Sequence, residues 1–344
     1  MTSIAPQKPW RPSTKQMLPD FVGIIFTALI SLVIIKVSPL SGKLGFSIVL
    51  VLTAMVVSGL INLVRRDKKA AFNAVTTVLI YVTGTFLIIP VFSIVFEIIA
   101  RGVPGLSLGM FANDMSVTSA DAAANEGGLL HAIIGTAYLI IFASLISVPI
   151  GVLTALYLTE IKGRFSSTVR FFVQAMSGVP SIVAGLFIYA VWMIQLGNKY
   201  SNLAGAASLA ILMIPTVART AEEVLKLIPP DLREAGLALG ATQWRTVAMI
   251  VIPAARSGLI TAVILGIARV AGETAPLLLT MGGADAINLN PFSGNSSALP
   301  YYVWKAFSLG TDTSVTRAWA GILVLMILVM TFFTAARLMS SRRN

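Results

Sequence analysis

The sequence has 344 residues, of which 56% are hydrophobic and only 11% are charged. A soluble domain of this length cannot bury so much apolar surface, so the composition predicts a polytopic membrane protein. The chain has no cysteine and one histidine, which excludes disulfides, thiol catalysis and any zinc site that needs two imidazoles. We predict no metal site.

Stretches of about 20 mainly apolar residues are long enough to cross a bilayer as helices. Eight stretches meet or nearly meet this length, so we predict an all-α polytopic membrane protein with about eight transmembrane helices. The first stretch resembles the core of a signal peptide, but no cleavage pattern follows it, so we expect it to be retained. The predicted spans are 20–37, 44–64, 73–99, 131–158, 171–196, 203–218, 257–280 and 316–338.

The Lys and Arg residues are unevenly distributed along this predicted topology. If both termini are cytoplasmic, eighteen of the 25 lie inside, six lie outside, and Arg269 alone lies within a helix. This distribution explains the net charge of +11 without nucleic acid as a partner. Near the chain ends, the cytoplasmic set comprises Lys8, Arg11, Lys15, Arg337, Arg342 and Arg343.

Two predicted external segments are longer than simple turns. They run from about 101 to 130 and from about 282 to 315, and both are rich in Gly, Ala, Ser and Asn. We interpret them as ordered or half-ordered loops that could receive a partner from outside. The alternative is that they are solvated connectors.

The longest predicted cytoplasmic connection, residues 219–256, has the marks of two short helices. Asp231 is a candidate N-cap of the first helix, with Glu234 three residues later as the partner in a capping box. Gly240 permits a turn, and Thr242 is a candidate N-cap of the second helix. We therefore predict a protruding helix–turn–helix.

The spacing in this connection carries a resemblance. Glu234, Ala235 and Gly236 are followed by three residues, by Gly240, by nine residues and then by the run 250–253, Ile-Val-Ile-Pro. The pattern resembles the EAA loop of bacterial ABC importer permeases, with Gly and Ile at two positions where the family usually has Ala and Leu. The resemblance implies that these four residues contact a cleft in a separate cytoplasmic ATPase. The alternative is a structural loop that packs on its own helices.

A second group of charges lies inside the seventh predicted span. An Arg near the centre of a spanning helix costs about 2.5–3.5 kcal/mol on insertion scales, so we expect Arg269 to face a partner, a polar cavity or a transported ion. Glu273 lies four residues later, which is the same face of a continuous helix. We hypothesise that Glu273 holds Arg269 between turnovers and releases it to the substrate. A purely structural ion pair is the alternative.

The run 272–276, Gly-Glu-Thr-Ala-Pro, resembles the phosphate-specific ABC transporter permeases, and it resembles their PstA type more than their PstC type. The runs 177–186 and 219–223 support this resemblance, which is close over about 171–280. It implies a type I importer core of six helices with extra N-terminal helices. The pathway residues that it implies are Arg269, Glu273 and Thr274.

Two prolines lie inside predicted spans, Pro180 in the fifth and Pro215 in the sixth. We predict them as hinges, although Pro is also simply common in membrane helices. By domain, we predict a region 1–70, with a cytoplasmic segment and two peripheral spans, and a permease domain 71–344.

No G-x-x-x-x-G-K-[ST] run occurs, so the chain has no P-loop, and we expect no cofactor in it. The resemblance implies that a separate partner binds ATP and Mg. The other implied partners are a homologous permease of the PstC type, a second copy of the ATPase, an external phosphate-binding protein and the lipid of a bacterial plasma membrane.

The function that we predict is transport, without covalent catalysis: part of the pathway for ATP-driven import of inorganic phosphate. Alternatives within transport are a permease for another oxyanion and the sibling phosphate permease subunit. An ATP-independent carrier and a membrane scaffold or sensor are alternatives from other classes. Both a heterodimeric and a homodimeric pore agree with the sequence.

Overall fold

The computed structural model describes residues 14–37, 42–119 and 121–341, which form helices without any strand. Lys8, Arg11, Arg342 and Arg343, which contribute to the predicted orientation, lie outside the described residues. The α-helices are α1 (Thr14–Val37), α2 (Gly42–Arg65), α3 (Lys68–Gly102), α4 (Leu130–Leu156), α5 (Ser166–Ser177), α6 (Ser181–Ile188), α7 (Asn202–Lys226), α8 (Pro230–Ala238), α9 (Gln243–Thr246), α10 (Ile252–Ala271), α11 (Ala275–Thr280), α12 (Leu299–Leu309) and α13 (Asp312–Ser341).

The predicted all-α membrane architecture is confirmed. Six stretches of described helix are long and apolar enough to cross a membrane, and the number is seven if a bent helix pair is counted as one span. The first predicted span is helical as well, but its described apolar part, Gly23–Val37, is shorter than a full crossing. The six are Gly42–Arg65, Lys68–Gly105, Leu130–Ile161, Asn202–Lys226, Gln243–Ala271 and Asp312–Leu338.

The chain divides into two compact units, Met1–Phe96 and Glu97–Asn344. In the first unit, α1 packs on α2 through small residues. A Cβ added at Gly23 would lie 3.1 Å from Ile61 Cδ1, so the glycine lets the two helices lie close together without a shift of this side chain. The second unit contains α4–α13 and all of the sites described below.

The centre of the second unit is α7, which packs along α4. Ala206, Ala210 and Ala218 on α7 are almost completely buried, and a Cβ at Gly151 on α4 would lie 2.8 Å from a Val217 side-chain carbon. Small residues therefore let the two helices approach closely. The helix runs on to Lys226, two turns beyond the predicted span, and it continues through Pro215 without interruption.

The fifth predicted span is broken. The helices α5 and α6 are bent by 102° relative to each other, and a π-helical segment, Tyr189–Gln195, extends α6. Pro180 lies at the break and has no N–H to continue the helix, while its ring disfavours a helical Val179. One straight crossing is therefore replaced by two differently directed helices.

The seventh predicted span, 257–280, is also broken, and its helix is displaced toward the N-terminus. The helix α10 ends at Ala271 with Gly272 as its C-cap, and α11 begins at Ala275. In the other direction, helix continues back to Gln243 through the π-helical segment Val247–Val251. The π turn precedes Pro253, whose ring crowds the preceding carbonyl groups and so widens the helix.

Candidate functional site

A polar cavity of about 310 Å³ lies where α5, α7 and α10 come together. Two guanidinium groups and three hydroxyl groups contribute to its wall, so its chemistry suits an anion. The lining residues are Ser177, Leu212, Thr216, Arg219, Thr220 and Arg269.

The helix packing directs both arginines toward this cavity. A Cβ at Gly266 would lie 2.7 Å from a Val217 side-chain carbon, so α10 is seated tightly on α7. Val270 is buried in the same core, whereas Arg269 beside it is exposed. On α7, Thr216, Arg219 and Thr220 share one helix face because they are three or four residues apart.

Neither Arg219 nor Arg269 has a hydrogen bond or an ion pair with any residue that the structure describes. Arg269 is expected at a polar site, because an arginine inside a spanning helix has a high free energy of insertion. Arg219 was missed because the sequence reading ended the sixth span at residue 218 and assigned Arg219 to a cytoplasmic loop. The structure therefore pairs the predicted cation with a second, unpredicted one.

Two sequence runs that are distant in the chain meet beside the cavity. Ser177, which starts the first run, lines the cavity together with Arg269. Further along this run, a Cβ at Gly185 on α6 would lie 2.6 Å from the Pro276 Cα on α11. The two broken helix pairs, α5–α6 and α10–α11, thus contact each other through α6 and α11.

The predicted pairing of Arg269 with Glu273 is wrong for this structure. Because α10 ends at Ala271, Glu273 is not on the same helix face, and the two side chains form no ion pair. Glu273 N donates to Val270 O at 3.2 Å as the chain leaves the helix. Glu273 and Thr274 are half-buried in this connection and are absent from the cavity lining, so their pathway role stays a prediction.

The predicted helix–turn–helix is confirmed as α8 and α9. Thr242 accepts a hydrogen bond from Arg245 N at 3.4 Å, as expected of an N-cap, and Gly240 adopts φ +82° in the turn. The expected Asp231 cap is wrong, because α8 begins at Pro230 and Asp231 already lies in its first turn.

The predicted ATPase-contact residues divide into two groups. Glu234, Ala235 and Gly240 are exposed, as a contact with another chain requires. Gly236 is buried, and its Cβ would lie 2.8 Å from Ile250 Cδ1, so this glycine closes the helix–turn–helix on itself. Two large exposed apolar residues beside the turn, Leu239 and Trp244, were missed because neither belongs to the recognised spacing.

A charged cluster links α5 to the C-terminal end of α7. The buried Glu222 Oε1 lies 2.9 Å from Arg170 Nη2 and 3.1 Å from Lys226 Nζ. A cavity of about 300 Å³ adjoins this cluster and includes Arg219 in its lining. Arg219 is therefore common to the two cavities, which form a series of polar recesses along α7.

At the other end of the second unit, the long segments are ordered against each other. Met115 N donates to Asp285 O at 3.0 Å, and Asp114 Oδ2 accepts from Ile287 N at 3.1 Å. Hydrogen bonds from Ser116 lower the pKa of the Asp114 carboxyl below its ordinary value. The predicted loop 282–315 also contains the unpredicted helix α12. Ordered segments, rather than solvated connectors, are therefore present.

Arg317 on α13 binds carbonyl groups of the first long segment, which precedes α4. It is 2% exposed, and its guanidinium donates to Ala122 O at 2.9 Å and to Ala123 O at 2.7 Å. This buried cation also donates to Ser119 O and Glu126 O, so its hydrogen bonds to carbonyl groups attach the described residues of this segment to α13.

Residues 147–344 match the family model described as "Binding-protein-dependent transport system inner membrane component". Phosphate transport system permease protein PstA 1 of Mycobacterium tuberculosis (strain ATCC 25618 / H37Rv) is 37% identical over 289 residues, which are 83% of this chain and 92% of that protein. PstA of Haemophilus influenzae (strain ATCC 51907 / DSM 11121 / KW20 / Rd) is 40% identical over 247 residues, which are 70% of this chain and 84% of that protein.

Among solved structures, an inward-facing conformation of the MetNI methionine ABC transporter is similar to this chain, with a TM-score of 0.51 and 21% identity. The similarity covers 62% of this chain and 93% of that chain, and it concerns the fold alone. The chain belongs to the family of binding-protein-dependent transport system inner membrane components, within its PstA group of permease proteins.

Proposed function

We propose that this chain is a permease subunit that forms part of the pathway for ATP-driven import of inorganic phosphate. The observation that carries the proposal is the polar cavity lined by Arg219 and Arg269, neither of which forms a close ion pair with a carboxylate of the described residues. Its PstA relatives, which are named phosphate transport permeases, support the choice of anion.

The chemistry of the cavity favours an oxyanion with several equivalent oxygens. A guanidinium group presents a planar fork of N–H donors that matches phosphate oxygens and stays protonated inside a membrane. Two such groups on different helices, Arg219 on α7 and Arg269 on α10, offer donors from two directions. Hydroxyl groups of Ser177, Thr216 and Thr220 complete a wall that replaces part of the hydration of the anion.

Energy for import comes from a separate ATPase in this proposal, since the chain has no P-loop. Exposed residues on α8 and the following turn, together with Leu239 and Trp244, form the surface for this partner. A homologous permease subunit covers the exposed arginine cavity, and an external binding protein delivers phosphate to the ordered segments that contain Asp114 and Asp285. Movement at the break beside Pro180 opens and closes the pathway.

We further propose that the chain lies in a bacterial plasma membrane with α8 and α9 on the cytoplasmic side. The excess of Lys and Arg on that side supports this orientation. With both termini cytoplasmic, the segments around Asp114 and Asp285 face the external binding protein.

Reconstitution in liposomes tests the function. The complex, with ATP inside the vesicles and the binding protein outside, should accumulate labelled phosphate, and unlabelled phosphate should suppress the signal where sulfate does not. Equal suppression by sulfate would identify a different oxyanion permease. Accumulation without ATP would identify a carrier, and an assembled complex without uptake would favour a scaffold.

A further inference from the structure

Arg233, on α8, connects three elements at the cytoplasmic end of the second unit. Its Nη2 donates to Glu160 Oε1 at 2.8 Å, and its Nε lies 3.0 Å from Glu160 Oε2. The same guanidinium donates to Ile228 O at 2.7 Å and to Leu225 O at 2.9 Å. Glu160 belongs to the π-helical segment Tyr157–Ile161 that prolongs α4, and Leu225 lies near the end of α7. Three of these hydrogen bonds therefore join α8 to the ends of α4 and α7, and the fourth reaches the connection that follows α7.

The pair of Arg233 and Glu160, which we name the latch, is largely withdrawn from water. The Glu160 side chain is 6% exposed, and that of Arg233 is 25% exposed. The Glu160 backbone also takes part, because its carbonyl accepts from Gln243 Nε2 on α9 at 2.6 Å. Both short helices are thus attached to the same turn at the end of α4.

Apolar packing does not provide this attachment for α8. Among the described residues, none of the three buried hydrophobic clusters includes a residue of α8. A cavity of about 760 Å³ instead separates parts of α8 and α9 from α5, and Glu160 and Arg233 lie in its wall. The buried side of α8, at Gly236, faces Thr246 and Ile250 in the helical stretch that continues into α10, so this contact attaches α8 to α10 and not to α4 or α7.

A buried ion pair is an expensive way to stabilise a fold, since apolar residues of similar volume are often at least as stabilising. Its advantage is direction: a bidentate guanidinium–carboxylate contact fixes both distance and orientation. In this place it attaches the short helix α8 to α4 and α7, while a cavity lies between α8 and α5.

We infer that the latch transmits the movement of α8 to α4 and α7, so that Arg233 and Glu160 are positioning residues of energy coupling. The inference rests on the proposed function, in which an ATPase moves α8. It concerns how this movement reaches the spans, whereas the residues that contact the ATPase are others on the exposed side of α8 and the turn.

Charge reversal tests the latch in the reconstituted complex. The single variants Arg233→Glu and Glu160→Arg are each expected to lower the number of phosphate ions imported per ATP hydrolysed by about tenfold, in the range of ordinary coupling free energies. The ATPase should still co-purify with them. The double variant restores opposite charges and should recover most of the ratio. Arg164→Ala is the matched control, because Arg164 is exposed in the adjoining connection and, among the described residues, contacts the ring of Phe165 alone.

Single variants with a native ratio, or a double variant no better than the singles, would overturn the inference. If charge reversal prevents assembly, Cys at both positions decides the matter, since the chain has no other cysteine. Joining the two thiols with a bifunctional reagent should raise the ratio relative to the untreated variant, and an unchanged ratio would count against the latch. Failure of the proposed function has a different signature: the native complex would import no phosphate. The latch variants would then be compared with the native chain by how strongly the binding protein stimulates ATP hydrolysis.

Discussion

Two arginines line one cavity, and only one of them could be predicted from the sequence. Arg269 could be predicted because a cation inside an apolar stretch needs a special environment. Arg219 could not, because it directly follows the apolar residues of α7 and resembles the ordinary basic end of a span. Because α7 continues to Lys226, Arg219 lies on this helix, and it lines the cavity together with Arg269 on α10.

Replacing Arg219 tests whether the second guanidinium matters. Arg219→Ala should weaken phosphate uptake by about tenfold or more at limiting phosphate, since hydrogen bonds to charged groups contribute about 1.5–3 kcal/mol. Arg219→Lys should be affected less, because it keeps the charge but loses the fork. Initial uptake rates over a range of phosphate concentrations give the answer. A native rate for Arg219→Ala would remove Arg219 from the site.

Gly240 allows a separate test of the turn between α8 and α9. Its φ is +82°, and no atom lies within 4 Å of the place where a Cβ would be, so substitution causes backbone strain rather than a clash. Gly240→Ala should destabilise the turn by about 1–2 kcal/mol, and Gly240→Asn by less, because Asn tolerates this conformation. Limited proteolysis of the purified complex reports the loosening. Equal protection of all three proteins would contradict the assigned conformation.

The elements show where sequence patterns are reliable and where they are not. Apolar length identified the positions of the long helices, and turn chemistry identified Gly240 and Thr242 correctly. Hydropathy carried no information about direction, so a 102° bend within one apolar stretch was read as one span. The helix α12 was missed because it lies among Gly- and Asn-rich residues and is too short for a span.

The close contact of α6 with α11 can be tested by substitution of Gly185. Gly185→Ala should place a methyl group against the backbone of Pro276 and cost about 1–3 kcal/mol, with a matching loss of thermal stability and uptake. Gly178→Ala is the matched control in the same run, since its nearest neighbour would be 3.5 Å away, which is an ordinary contact. Equal melting temperatures for the two variants would contradict the close packing.

Considered as a whole, the second unit combines two broken helix pairs, a core around α7 and a latched helix–turn–helix. The family resemblance rests on the runs 177–186 and 272–276, and the structure brings Ser177, Arg269 and Pro276 into one region. The failed prediction concerned Glu273, because four-residue spacing implies a shared face only where the helix is continuous. The site is thus built by a helix break as much as by the charges.

ATP-dependent uptake of labelled phosphate by the reconstituted complex, compared between the native chain and Arg269→Ala, tests the account most directly. The complex should assemble normally with Arg269→Ala. Uptake should fall by about tenfold or more, because the anion loses one of the two guanidinium groups that line the cavity. Arg164→Ala, which removes an exposed arginine of equal charge, should transport at the native rate. Native uptake by an assembled Arg269→Ala complex would contradict the central claim that phosphate passes through the arginine cavity.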